Sequence, residues 1–140
     1  MDQNLQILGL ARKASILAVG LDDVSKAARI KKLELIISAS DASEGAKRRA
    51  SFDAEFCGAV HVQVPYTMQE LGAMTGRGSP GTVGFLEPGL AARFLWGLKQ
   101  TAPEEYGEGY TLMEQRAKAA KEQNKKTKQA SGRLQRRAAI

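Results

Sequence analysis

Apolar positions along the first hundred residues change period repeatedly, and each change marks a new element. Leu5, Ile7, Leu8 and Ala11 predict a short amphipathic helix ending near Lys13. Ser15 to Gly20 is a brief apolar stretch and reads as an edge strand. Leu21, Val24, Ala27 and Ala28 return to helical spacing, which runs to Ile30. Leu33 to Ser38 has the length and branching of a buried strand. Asp41 and Ser43 then offer side-chain acceptors for the free amides of a helix that runs to about Phe56. Val60 to Val64 alternates strictly, as a half-buried strand does, and Pro65 ends it. Met68 to Met74 predicts a short helix closed by Gly76, and Thr82 to Leu86 a further strand. Pro88 suits the first turn of a last helix, whose Leu90, Ala91, Phe94, Leu95 and Leu98 share one face. Helices alternating with strands predict an α/β fold: a three-layer α/β/α sandwich around a mixed sheet of about four strands.

The pattern stops near residue 100. Thr101 to Tyr110 contains Pro103, Gly107, Gly109 and three acidic residues, so 101–113 reads as a linker. Residues 114–140 form a basic tail. Arg116, Lys118, Lys121, Lys125, Lys126, Lys128, Arg133, Arg136 and Arg137 face only Glu114 and Glu122 there, a balance of +7. The whole chain carries +6, so the first 113 residues are almost neutral. Leu134 and Ile140 are the tail's only large apolar groups, too few to offset the entropy of ordering. A solvated helix and a disordered arm both fit. Such an arm engages nucleic acid or an acidic surface, or serves only solubility.

Composition narrows the chemistry. A length of 140 residues suits one domain with an appendage. One cysteine and one histidine exclude an intrachain disulfide and a His–His or Cys–Cys pair of transition-metal ligands. Cys57 ends an apolar helix and is expected to be buried and inert. Alternation sets His61 with Gln63, away from Val60 and Val62, as a strand residue rather than a catalyst. Gly76 to Gly81 matches G-x-G-x-x-G, but a helix precedes it and a strand follows, the reverse of a dinucleotide cradle. No cofactor, metal or catalytic activity is therefore expected. No apolar run is long enough to cross a membrane, and Met1 to Asn4 lacks the basic start of a secretory signal. A cytoplasmic setting is the expectation.

The stretch from Gly20 to Lys26 carries the most chemistry. Its glycine opens a helix directly after a strand, so a ligand could approach the backbone closely. First-turn amides attract phosphate. Asp22 and Lys26 share a helix face, with Asp23 beside them. Carboxylates accept hydrogen bonds from base donors, and a lysine serves guanine or phosphate. The same residues also suit an ordinary helix start with a surface ion pair.

Several short motifs, in order and at consistent intervals, give residues 4–100 a family resemblance. They are Leu8-Gly-Leu-Ala-Arg-Lys13, Gly20-x-Asp-Asp-x-x-Lys26, Ala39-Ser-Asp-Ala-Ser43, Val64-Pro65, Glu70-Leu-Gly72 and Gly76. The chain resembles the kink-turn RNA-binding ribosomal protein family, of the L-seven-Ae and L-thirty-e type, and within it the bacterial YlxQ-like group. The resemblance implies the sandwich fold already inferred. It also implies non-catalytic binding of a sharply bent RNA at tandem sheared G·A pairs, with ribosomal RNA and the ribosome as partners. The family's recognition element is Gly-x-Asn-Glu-x-x-Lys. Gly20 and Lys26 match it, whereas Asp22 stands for Asn and Asp23 for Glu. Two adjacent anions facing a polyanion are unfavourable unless donors engage them. The second family contact, a loop after the fourth helix, corresponds to Arg77, Gly78, Ser79, Pro80 and Gly81. Lys13 and Arg29 complete the implied RNA-binding set.

The expected organisation is thus an RNA-binding domain over 1–100, a linker over 101–113 and the tail over 114–140. Two rival readings stand beside it. One is a protein-interaction scaffold whose tail docks on an acidic partner. The other is an accessory domain of an RNA-modifying enzyme, for whose catalytic part this chain has no room.

Overall fold

Period-two alternation divides the central strands between two faces. In the computed structural model, which describes residues 2–138 and the side chains of 2–123, Leu35 and Ile37 enter one core while Ile36 enters another. The elements are α1 (Gln3–Lys13), β1 (Leu17–Val19), α2 (Leu21–Arg29), β2 (Leu35–Ser38), α3 (Glu44–Cys57) and β3 (Val60–Gln63). They continue with α4 (Met68–Thr75), β4 (Thr82–Phe85), α5 (Pro88–Lys99) and α6 (Pro103–Ala138). Four strands pair in the order β1-β4-β2-β3. β2 and β3 are parallel, and β4 runs antiparallel to both β1 and β2. The mixed four-stranded α/β sandwich predicted from periodicity is the fold observed.

The layers differ in composition. α1, α4, α5 and α6 cover one face through Leu8, Leu71, Phe94, Leu95, Tyr106 and Met113. α2 and α3 cover the other through Val24, Ala28, Ala50 and Ala54. Gly84 of β4 belongs to this thinner side, where a Cβ would lie 2.5 Å from Leu33 Cδ2. Ser43 caps α3, its hydroxyl accepting from the Ala46 amide at 3.1 Å, as the cap-type residues predict.

Three expectations need correction. Residues 103–113 are not a linker: α6 starts at Pro103 and continues without a break into the basic segment. Burial overrides the glycines there. Tyr106 and Met113 enter the core, and the Tyr106 hydroxyl donates to the Gln63 carbonyl at 2.7 Å. Gly109 lets α6 approach closely, since a Cβ there would lie 3.4 Å from Leu95 and 3.5 Å from Val60. Nor is the start of the tail wholly solvated. Arg116 pairs with Glu34 at 3.0 Å and donates to the Gly58 carbonyl at 2.8 Å. The backbone of 114–138 is helical, while the side chains of Lys125, Lys126, Lys128, Arg133, Arg136 and Arg137 lie outside the described set, as does Ile140 altogether. Finally, Cys57 is half-buried rather than sealed in the core.

His61 sits between two hydroxyls, with Ser38 Oγ at 2.8 Å from Nε2 and Ser51 Oγ at 3.0 Å from Nδ1. Burial lowers its pKa below 6.5. Val60 and Val62 face the opposite core, as the alternation requires. No helix among the described residues is long and apolar enough to cross a membrane.

Candidate functional site

Gly20 sits between β1 and α2 with φ 96° and ψ 155°, a conformation that strains any residue bearing a Cβ. Its amide donates to the Thr82 carbonyl at 2.9 Å, tying the turn to β4. Its own carbonyl accepts from Val24 at 3.0 Å and starts the helix. No side chain caps α2. The amides of Leu21, Asp22 and Asp23 therefore belong to an uncapped first turn, which has no i−4 carbonyls inside the helix. A Cβ built on Gly20 meets nothing within 4 Å, so the space beside the turn is open.

The two aspartates are divided between two arginines. Asp23 Oδ2 accepts from Arg77 Nη1 at 3.0 Å. Asp22 Oδ1 lies 3.7 Å from Arg49 Nη2 of α3. Arg77 comes from the loop on the α1/α4 side of the sheet, and Arg49 from the opposite layer. Both pairs are largely exposed, so each contributes little to stability. Their consequence is electrostatic: two adjacent anions become parts of two neutral pairs.

The loop carrying Arg77 is held at this corner by glycine contacts and by α1. A Cβ on Gly72 would lie 1.7 Å from the Gly78 carbonyl oxygen, so the loop folds back onto α4 only because residue 72 is glycine. Gly76 ends α4 in the left-handed region, as its sequence position predicts. Arg12 Nη1 donates to the Thr75 carbonyl at 2.5 Å, bracing the end of α4. The Gly81 carbonyl accepts from Ala39 at 2.9 Å, fixing the loop's exit into β4. Between these parts lies a cavity of about 190 Å³, lined by Arg12, Ser15, Leu17, Val19, Asp23 and Arg77.

Of the expected residues, the structure joins Asp23 and Arg77 directly, ties Gly20 to β4 through the Thr82 carbonyl, and holds Gly78 against α4. Ser79 is exposed, and Pro80 and Gly81 are half-buried. Lys26 and Arg29 are exposed on α2 and make no ion pair among the described residues. Lys13 is exposed at the end of α1, next in sequence to Arg12, and joins none of the other expected residues by an ion pair. Of the consecutive cations Lys47, Arg48 and Arg49 on α3, only Arg49 bonds to α2. Lys47 pairs with Glu44, and Arg48 donates to the Glu44 carbonyl. The bracing role of Arg12 lies beyond sequence reasoning, because its partner is 63 residues away. Among the described residues no group of three His, Cys, Asp or Glu is arranged to hold a metal ion.

No family model matches the chain, and no curated protein matches it. Solved structures do. A protein of unknown function from Bacillus halodurans superposes with a TM-score of 0.64 at 24% identity, over 71% of this chain and 99% of its own. A 15.5 kD RNA-binding protein from Giardia lamblia superposes with a TM-score of 0.53 at 18% identity, over 64% of this chain and 79% of its own. The sandwich fold is thus shared with both proteins.

Proposed function

We propose that the chain binds structured RNA without catalysis, reading a kink-turn-like bend at the corner where α2 begins. The contact of Asp23 with Arg77 is the observation that carries this reading, because it joins the helix start to the loop after α4. Those are the two elements that the family resemblance assigns to contact with the bent strand. The uncapped first turn offers amides to phosphate or base acceptors. Lys26, one turn further along α2, supplies an ammonium for phosphate or guanine. The in-chain arginines answer the electrostatic objection to Asp22 and Asp23, because each carboxylate meets the RNA already paired with a guanidinium. A fold neighbour described as an RNA-binding protein supports the ligand class. Ribosomal RNA, the ribosome as the site of action, and membership of the YlxQ-like group are parts of the same proposal. The basic residues beyond Gln123 add phosphate attraction that is indifferent to sequence.

The test compares two RNAs. Lys26→Ala and Asp23→Ala should each weaken binding to a kink-turn stem about tenfold or more, and binding to a plain duplex of equal length by less than about threefold. Equal losses on both RNAs remove the recognition claim.

A further inference from the structure

The groove between α2 and α3 lies outside the corner just described. Ser25, Arg29, Arg49, Phe52, Asp53 and Phe56 enclose a cavity of about 290 Å³ there. Phe52 and Phe56 are one turn apart on α3, and they are 66% and 53% exposed. Ala50 and Ala54 take buried positions of the same helix, together with Asp53. α3 thus turns small residues to the core and its two rings to solvent.

Cations surround these rings. Lys31 Nζ lies 5.8 Å from the centre of the Phe56 ring, within cation–π range. The Arg49 guanidinium is fixed: its Nε donates to Ser25 Oγ at 3.0 Å, and that hydroxyl donates to Asp53 Oδ2 at 2.7 Å. Asp53, the groove's carboxylate, is buried and already engaged by Ser25. Arg29 and Arg49 are exposed. Arg49 also borders Asp22, so one guanidinium belongs to both the corner and the groove.

Two exposed rings beside three cations, one of which lies over the Phe56 ring, match a polyanion that carries planar groups. An apolar peptide would leave the cations unmatched, and an acidic peptide would leave the rings in water. We infer that the α2–α3 groove is a stacking site for one or two unpaired nucleotides of the strand leaving the α2 corner. Bases stack on Phe52 and Phe56, and their phosphates meet Arg29, Arg49 and Lys31. This inference rests on the RNA reading above for its tether. The strand held at the first turn of α2 presents its next nucleotides to the groove at high effective concentration.

The experiment uses the full chain with two probes: a flush-ended kink-turn stem, and a single-stranded RNA decamer carrying 2-aminopurine. The decamer should be quenched on binding. Phe52→Ala and Phe56→Ala should each weaken it about tenfold, Phe52→Tyr should keep it, and all three variants should bind the flush stem within about twofold of wild type. Unchanged decamer affinity in both alanine variants, with unchanged circular dichroism, overturns the groove assignment. So does a phenylalanine-dependent self-association or protein capture that leaves the decamer unaffected, which marks a protein-docking face instead. A wild-type chain that ignores the stem, yet loses the decamer on Phe52→Ala, overturns the kink-turn reading and keeps the groove.

Discussion

On one face of the sheet Phe85 and Phe94 meet with ring centres 5.5 Å apart, and Tyr66 tilts against Phe94 at 6.4 Å. On the other face four alanines, Ala18, Ala28, Ala50 and Ala54, share the core with Val24, Leu33 and Ile36, no aromatic among the described residues enters it, and α3 turns its phenylalanines outward. The thick face carries most of the apolar burial, and α6 adds Tyr106 and Met113 to it. The thin face lets two helices approach until Arg49 of α3 bonds Ser25 of α2 and nears Asp22. Small core residues thus cost stability and gain proximity. The polar corner and its groove lie where the packing is thinnest, and the aromatic layer holds the sheet that positions them.

Equivalent truncations on the two faces test this division most strongly. Phe94→Ala should destabilise the fold by about 3–5 kcal/mol, as a buried aromatic does, whereas Phe52→Ala should change it by less than about 0.5 kcal/mol. Chemical denaturation measures both, and equal costs would erase the distinction. Gly72→Ala comes next. The added methyl displaces the Gly78 carbonyl, so the 76–81 loop moves away from α2 and takes Arg77 from Asp23. A stability loss of about 1–3 kcal/mol is expected, with weaker kink-turn binding and an unchanged affinity for plain duplex. Denaturation and paired RNA titrations check it, and a selective loss without destabilisation would mean that the close contact is not structural.

The smallest effect concerns pH. His61 has a folded pKa below 6.5, so between the two values the unfolded chain binds more protons. Its contribution is fully present above about pH 6.5 and is lost as pH falls through the folded pKa. His61→Gln keeps a neutral partner for Ser38 and Ser51. The melting temperature of this variant should fall less than that of the wild type between pH 7.5 and pH 5. Parallel curves would show that the histidine is not kept neutral by the fold.

Much of this architecture is legible in the sequence. Strict alternation at Val60–Val64, the branched run Leu35–Ile37 and the cap residue Ser43 are local signals, and they act locally in the fold. The Gly20–Lys26 pattern is local too, since a helix start needs only its own residues. What stays hidden depends on distant partners. Pro103, Gly107 and Gly109 read as a linker because their helix forms only when Tyr106 and Met113 find the core. Asp22 and Asp23 read as exposed anions because Arg49 and Arg77 lie 27 and 54 residues further along. The outward turn of Phe52 and Phe56 has no local signal either: it follows from the packing of α3 on Ile36 and Ala28, which takes Ala50 and Ala54 inward.

Backbone amide shifts on titration with RNA test the central claim most directly. Adding a kink-turn stem to the labelled chain should move the amides of Leu21, Asp22 and Asp23 most, together with Arg77 to Gly81, while a plain duplex leaves these residues nearly unmoved. Perturbations centred on α5 or α6, with the first turn of α2 unchanged by either RNA, would contradict the account.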